Sequence, residues 1–250
     1  MNNKPPVIII GMHRSGTTML TKLLSELGVF MGSDRERNHE SRFFQKLNKW
    51  ILSSAGCAWD RPEGLDQLLE NRELRSIIQQ RIDRIIHSPL VYQYFGVGPF
   101  LKYHSLFRLS IPWGWKDPRT TLTLPLWCDF FPDAKIILMV RHGADVANSL
   151  YTREQKFIKE KLNDKAGIFQ QVISPLLPVI RGGIISSPVC QTFDNSFGLW
   201  KKYMDLGIKM SRIYNDQIQI MKYEDLLTDP QNELKKILSH IDVGANGASI

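Results

Sequence analysis

A chain of 250 residues can bury a substantial core, and 43% hydrophobic with 23% charged residues is a globular composition, neither disordered nor membrane-embedded. The formal charge of +7 suits anionic partners, from phosphorylated nucleotide to sulfated glycan, nucleic acid or acidic membrane; the absence of any run of five basic residues argues against nucleic acid. Cys57, Cys128 and Cys190 are odd in number and lack metal-like spacing, so neither a disulfide framework nor a zinc site is expected.

The N-terminus reads Met1-Asn2-Asn3-Lys4-Pro5-Pro6 and has no secretory pattern. No stretch approaches the roughly 18 apolar residues of a membrane helix, so a cytoplasmic protein without a transmembrane segment is expected. Val7-Ile8-Ile9-Ile10 is a β-branched run that ends at Gly11, loops through Gly16 and enters a helix. This is the layout of a phosphate-cradling loop, in which backbone N–H groups converge on an anion at a helix N-terminus. The spacing is GxxxxGTT; the lysine of a Walker A loop is missing and Arg14 stands inside the loop instead. The loop suits an anion and fits Mg-nucleotide hydrolysis poorly.

Leu20, Leu23, Leu24 and Leu27 recur at helical spacing, and Gly28 can close that helix. Val29 to Gly32 return to the sheet or its edge. Residues 33–64 are polar and irregular, with a helix expected over Phe43, Phe44, Leu47 and Ile51; the segment reads either as a cover for the site or as a solvated face. A long helix is expected from Asp66 to about Ile86, with Leu74, Ile77, Ile78, Ile82 and Ile85 on its apolar face and Pro89 beyond its end. Residues 90–112 give only a mixture of loop and short helix.

Trp113 to Lys116 read as a short buried strand running into the turn Asp117-Pro118-Arg119, with Thr120 or Thr121 as helix cap. Ala134 to Val140 form the strongest buried strand, ending at Arg141-His142-Gly143, where a helix from Ala144 to about Arg153 begins. Residues 154–190, rich in Pro and Gly, read as a long connection of the kind that carries specificity. A helix from about Phe197 to Tyr214, a strand Ile218–Tyr223 and a helix Gln231–Ile241 follow, and Gly244–Ile250 read as an unstructured tail. Strands alternating with helices predict one three-layer α/β/α domain over residues 1–250, with a central parallel sheet and the ligand at the carboxyl ends of the strands. Three charged turns should meet there: Arg14–Thr18, Lys116–Arg119 and Arg141–Gly143.

On these motifs the sequence resembles the sulfotransferases that use 3′-phosphoadenosine 5′-phosphosulfate (PAPS), above all bacterial carbohydrate-type members and, more distantly, the tyrosylprotein sulfotransferases. The resemblance covers about residues 5–153 and 197–241 and implies their P-loop-like fold. By that resemblance Arg14, Ser15, Gly16, Thr17 and Thr18 bind the 5′-phosphosulfate. Arg141 and Ser149, eight residues apart across a strand–turn–helix, bind the 3′-phosphate, and Arg153 one turn on adds a contact. Tyr223, in Tyr223-Glu224-Asp225-Leu226, lies near the nucleotide or is a buried structural residue. The family's usual C-terminal nucleotide-contacting stretch is not evident; Gly244-Ala245-Asn246-Gly247 stands in its place.

The implied reaction moves a sulfuryl group from PAPS to a hydroxyl acceptor, a glycan or other polar alcohol, leaves 3′-phosphoadenosine 5′-phosphate (PAP), and requires no metal. Arg14 and Lys116 are the cations for the leaving oxygen, since Arg stabilises charge without giving up its proton. The base is sought among Glu40, His39, Asp117 and His13, with Glu40 first and His39 second; His142 and His104 stay open because relatives place a His elsewhere. Two rival readings remain. A P-loop kinase for a small molecule lacks its Walker lysine, and a non-catalytic anion- or nucleotide-binding module would make Glu40 and Lys116 dispensable.

Overall fold

A computed structural model describes residues 3–36, 38–163 and 186–243. The chain divides into two compact units, one of Met1–His142 with Tyr203–Ile250 and one of Gly143–Lys202.

The first unit is built on four parallel strands, β1 (Pro6–Gly11), β2 (Trp113–Lys116), β3 (Lys135–Val140) and β4 (Ile218–Lys222), in the order β2-β1-β3-β4. Ile8 sits beside Trp115 on one side and Ile136 on the other, and Leu138 beside Ile220. β1 is buried along its whole length, as its unbroken apolar run requires. On one face of the sheet, Val7, Ile9, Ile137 and Met139 meet Leu20 and Leu24 of α1 (Thr17–Glu26) and Ile237 and Leu238 of the C-terminal helix Pro230–His240. On the other, α2 (Arg42–Ser54) and α7 (Thr120–Phe130) close over an aromatic cluster. Phe44 stacks on Trp115 with centroids 3.9 Å apart, and Trp127 meets both rings edge-on. Sheet and flanking helices are the α/β/α arrangement expected from the alternating pattern.

Connectivity runs from β1 outward to β2, then crosses back past β1 to β3 and on to β4. The strand order therefore reverses between β1 and β3, and in open parallel sheets a crevice for ligand lies at that point, outside the carboxyl ends. The turns after these two strands are residues 11–16 and 141–143.

Several element boundaries differ from expectation. The helix expected over 66–86 is two, α3 (Leu65–Glu70) and α4 (Arg72–Ile86). Asn71 breaks it, because its side chain accepts the Leu74 N–H at 3.0 Å and restarts the helix as a cap. This turns Leu74 and Ile77 outward and leaves Ile78, Ile82 and Ile86 as the buried face. Residues 92–103 hold the short helices α5 (Tyr92–Phe95) and α6 (Val97–Tyr103).

Neither Thr120 nor Thr121 caps α7; both are buried inside it. Thr121 Oγ1 accepts the Gly11 N–H (2.9 Å) and donates to the Gly11 carbonyl (3.2 Å), so it fixes the start of the first loop. The N-cap is Arg119, with no side-chain cap bond, and Asp117 Oδ1 accepts the Arg119 N–H at 3.2 Å just ahead of the helix.

In the second unit α8 runs Gly143–Leu162, so the connection expected from residue 154 begins as continuing helix. α9 (Phe193–Ile213) starts four residues before the expected Phe197 and carries the chain back into the first unit, where Gly207 lies against Leu138. α10 (Tyr223–Thr228) leads from β4 to α11, the C-terminal helix already described. The rest of the expected 154–190 connection and the tail Gly244–Ile250 lie outside the described residues, apart from Ser186–Cys190. No described helix is long and apolar enough to cross a membrane.

Candidate active site

The first loop is held in a conformation that few residues tolerate. Gly16, with φ 95°, is the N-cap of α1, and among the described residues no side-chain cap bond is made there. Gly16 brings no capping side chain to the positive end of the helix dipole, where the Met19 N–H turns back to the Gly16 carbonyl at 3.0 Å and the Thr17 and Thr18 N–H groups come first. A Cβ on Gly16 would sit 2.3 Å from Cδ2 of Tyr223, so the absence of a side chain lets that ring lie against the loop. Arg14 also adopts a left-handed conformation, φ 72°, with its side chain exposed. The Ser15 N–H (3.2 Å) and hydroxyl (2.7 Å) both donate to the Met12 carbonyl, so this residue shapes the loop from within.

The guanidinium of Arg141, at the end of β3, lies over the Tyr223 ring with Cζ 4.5 Å from the centroid. Its Nη1 donates to the Arg14 carbonyl at 3.3 Å. Beside it the His142 N–H donates to Glu224 Oε1 at 2.9 Å, tying the end of β3 to α10. Arg14, Gly16, Arg141 and Tyr223 thus form one group across the switch point. Ser149 and Arg153 belong to the second unit. There Arg153 directs Nε (3.2 Å) and Nη2 (2.9 Å) at Oε1 of the buried Glu154, which also accepts from Ser186 and Ser187.

A second group lies one helical step along from Gly16. The Lys116 side chain, 1% exposed at the end of β2, donates to the Asn38 carbonyl (2.6 Å) and to Glu40 Oε1 (3.3 Å), with Thr18 Oγ1 at 3.5 Å. The Thr18 hydroxyl donates to the same Asn38 carbonyl at 3.0 Å. Glu40, 5% exposed, spends its other oxygen on Gln45 Nε2 (2.8 Å) and Arg119 Nη1 (3.4 Å). Burial by itself would raise the Glu40 pKa, but the positive field of His13, Lys116 and Arg119 and the Gln45 hydrogen bond outweigh it and hold it at about 2. Lys116 is pulled the other way: desolvation holds its ammonium below the ordinary lysine value despite Glu40.

The remaining candidates differ in setting. His39 has φ 57° and buries Nδ1 without a hydrogen-bond partner among the described residues. Burial, then the charges of Arg35, Lys22 and Lys116, hold its imidazole below the ordinary histidine value, so at neutral pH it can accept a proton. His13 meets Trp59 edge-on at 4.6 Å. His104 is exposed against Phe100 in α6, away from both groups in sequence and contacts.

Arg119 was expected at the site only as the end of the charged turn Lys116–Arg119, and Gln45 and Asn48 were not read as site residues at all. The signal for the last two was present: Ser41, Gln45 and Asn48 recur at helical spacing on the side of α2 that also buries Phe44 and Leu47. Polar residues in such a stripe must find partners inside.

Residues 5–170 match a family model described as the sulfotransferase family. No curated protein matches the chain. Among solved structures, the sulfotransferase domain from the curacin biosynthetic pathway is similar over 98% of this chain and 76% of its own, at 16% identity and a TM-score of 0.50. A sulfotransferase from Alicyclobacillus acidocaldarius is similar over 96% of this chain and 82% of its own, at 16% identity and a TM-score of 0.49. The sulfotransferase domain from the Synechococcus PCC 7002 olefin synthase is similar over 97% and 74%, at 15% identity and a TM-score of 0.49. At these identities the first likeness bears on the fold alone.

Proposed function

Since the chain belongs to the sulfotransferase family, we propose that it transfers a sulfuryl group from PAPS to a hydroxyl acceptor, a carbohydrate or other polar alcohol, by in-line displacement. The observation that carries this reading is the stack Gly16–Tyr223–Arg141, which joins an uncapped helix N-terminus to a guanidinium across the switch point. PAPS has anions at both ends of an adenosine and needs two such positions. The residues present fit it: the first turn of α1, with Gly16, Thr17 and Thr18, suits the 5′-phosphosulfate, and the planar fork of Arg141 suits a 3′-phosphate. Ser149 and Arg153 enter through the sequence motif alone. ATP, lacking a 3′-phosphate, would leave Arg141 without a phosphate to bind.

As the S–O bond breaks, its electron pair goes to the bridging oxygen of the leaving phosphate, and Lys116 with Arg14 stabilises that charge. Glu40 takes the proton of the acceptor hydroxyl, with His39 the second candidate. A carboxylate held at about 2 is a weak base; it gains basicity as the charge of Lys116 is drawn to the leaving oxygen. The protein cations then do the work that Mg²⁺ does in kinases. Three buried thiols suit the reducing cytoplasm, where we place the reaction.

Incubation with radiolabelled PAPS and a panel of sugars, polar alcohols and tyrosine peptides tests the reading. Acceptor-dependent release of PAP with label in the acceptor, lost in Lys116→Met, is the expected result. Phosphoryl transfer from Mg-ATP would replace it with the kinase. PAP binding with no turnover, unchanged in Glu40→Gln and Lys116→Met, would replace it with a non-catalytic binding module.

A further inference from the structure

Lys116 carries two competing tasks. It is 3.3 Å from Glu40 Oε1 and, in the reading above, it is also the cation for the leaving oxygen. A single ammonium that turns to the donor leaves Glu40 with less of the positive field that keeps it ionised. The rest of that field comes from His13 and from Arg119, whose Nη1 is 3.4 Å from Glu40 Oε2 and 2.8 Å from Asp117 Oδ1.

Asp117 is fully buried and is held from behind. Its Oδ2 accepts from Asn48 Nδ2 at 2.9 Å and its Oδ1 from the Arg119 N–H at 3.2 Å. Asn48 is itself saturated: Nδ2 also donates to Thr120 Oγ1 (2.9 Å), and Oδ1 accepts from the Thr123 hydroxyl (2.7 Å) and the Trp127 indole (2.8 Å). This chain anchors the guanidinium to α2 and α7 at once. To swing from Glu40 toward a donor it would have to give up the Asp117 bond as well, whereas Lys116 is a compact ammonium on a flexible stem that gives up the Asn38 carbonyl and Glu40.

We propose that Arg119, braced by Asp117 and Asn48, is a positioning residue for sulfuryl transfer: as Lys116 turns to the leaving oxygen it pins Glu40 Oε2 and keeps the carboxylate ionised until the acceptor's proton reaches it. The timing rests on the sulfotransferase reading; the brace itself does not. The groups facing Glu40 are His13 from the first loop, Lys116, Asp117 and Arg119 from the end of β2, and Gln45 from α2. Gln45 also binds Glu36 Oε2 (3.1 Å) and Lys49 Nζ (3.2 Å). Asp117 draws part of the Arg119 charge to itself, so the brace holds Glu40 without fully neutralising it.

The test is a carbon-13 NMR titration of glutamate side chains in the whole chain, with Glu40 assigned by Glu40→Gln, and it needs neither donor nor acceptor. Lys116→Met reproduces the state in which the lysine charge has gone elsewhere. In that variant Glu40 is expected to titrate below the ordinary glutamate value, and Arg119→Lys added to it should keep it there. Lys116→Met with Arg119→Gln should bind a proton at least tenfold more tightly. Should Asp117, left without its cation, prevent that protein from folding, adding Asp117→Asn restores a neutral hydrogen-bonding pair and should still show a rise, measured against Lys116→Met with Asp117→Asn, since the Asp117 charge facing Glu40 is then absent from both. An unchanged Glu40 midpoint on loss of Arg119, in either background, overturns the proposal. Because PAP binding is measured separately, failure of the sulfotransferase reading would leave this result legible.

Discussion

Arg141 and Tyr223 lie one over the other, the guanidinium carbon 4.5 Å from the ring centroid, and the other side of the relationship is Gly16, whose missing side chain makes room for the ring. In the proposed reading the tyrosine is thereby a spacer between the two anion positions. Its ring matters more than its hydroxyl. Tyr223→Phe should therefore bind PAP much as the wild type does, while Tyr223→Ala, losing a cation–π contact of roughly 1–2 kcal/mol, should bind about tenfold more weakly by calorimetry.

Gly16→Ala should be worse than either. The new methyl meets Tyr223 Cδ2 at 2.3 Å, and φ 95° is unfavourable for any side chain. The left-handed conformation alone costs an alanine roughly 1–2 kcal/mol, and moving the ring separates it from Arg141. PAP affinity should fall by more than tenfold, together with a lower melting temperature in differential scanning calorimetry.

Asn48 satisfies four buried partners: Asp117, Thr120, Thr123 and Trp127. Asn48→Ala removes all of these bonds and leaves a cavity, at about 1–3 kcal/mol for each group left unsatisfied. A destabilisation on the order of 3 kcal/mol is expected, and chemical denaturation with a two-state fit measures it. The same variant should disturb Glu40 through Asp117 and Arg119, so turnover should fall even at temperatures where the protein stays folded.

The acid side of the stability curve carries a further expectation. The folded pKa of Glu40 is depressed from 4.5 to about 2. A depressed carboxylate contributes stability that is present above the unfolded value and is lost as pH falls through the folded one. The loss should therefore fall between about pH 4.5 and pH 2. Asp117 acts in the opposite sense, because burial pushes its carboxyl up and its ionised form costs stability that protonation relieves. Glu40→Gln should flatten the acid limb of stability against pH, and Asp117→Asn should steepen it; a Glu40→Gln curve parallel to wild type would deny Glu40 its charged partners.

Much of this fold can be read from local patterns. The β-branched run 7–10 and the run 135–140 declare buried parallel strands, and the glycine spacing at 11 and 16 declares the loop between strand and helix. The break at Asn71 was harder to read, because the apolar periodicity of 74–86 continues a helix that a single side-chain hydrogen bond interrupts. Thr120 and Thr121 illustrate the same limit. Their position suits a cap, but long-range partners, Asn48 and Gly11, claim both hydroxyls. The charged turns after β1, β2 and β3 were visible as candidates one by one. That Arg119 faces Glu40 across 79 residues of sequence is a property of packing that no local pattern encodes.

The most direct measurement is calorimetric binding of PAP, 5′-AMP and Mg-ATP to the wild type and to Arg141→Ala. Two anion positions joined by Tyr223 predict tight binding of PAP alone, weakened by on the order of a hundredfold in the variant, as expected for loss of a charge-paired arginine. Equal binding of all three nucleotides, or binding of Mg-ATP alone, would contradict the account and return the chain to the kinase reading.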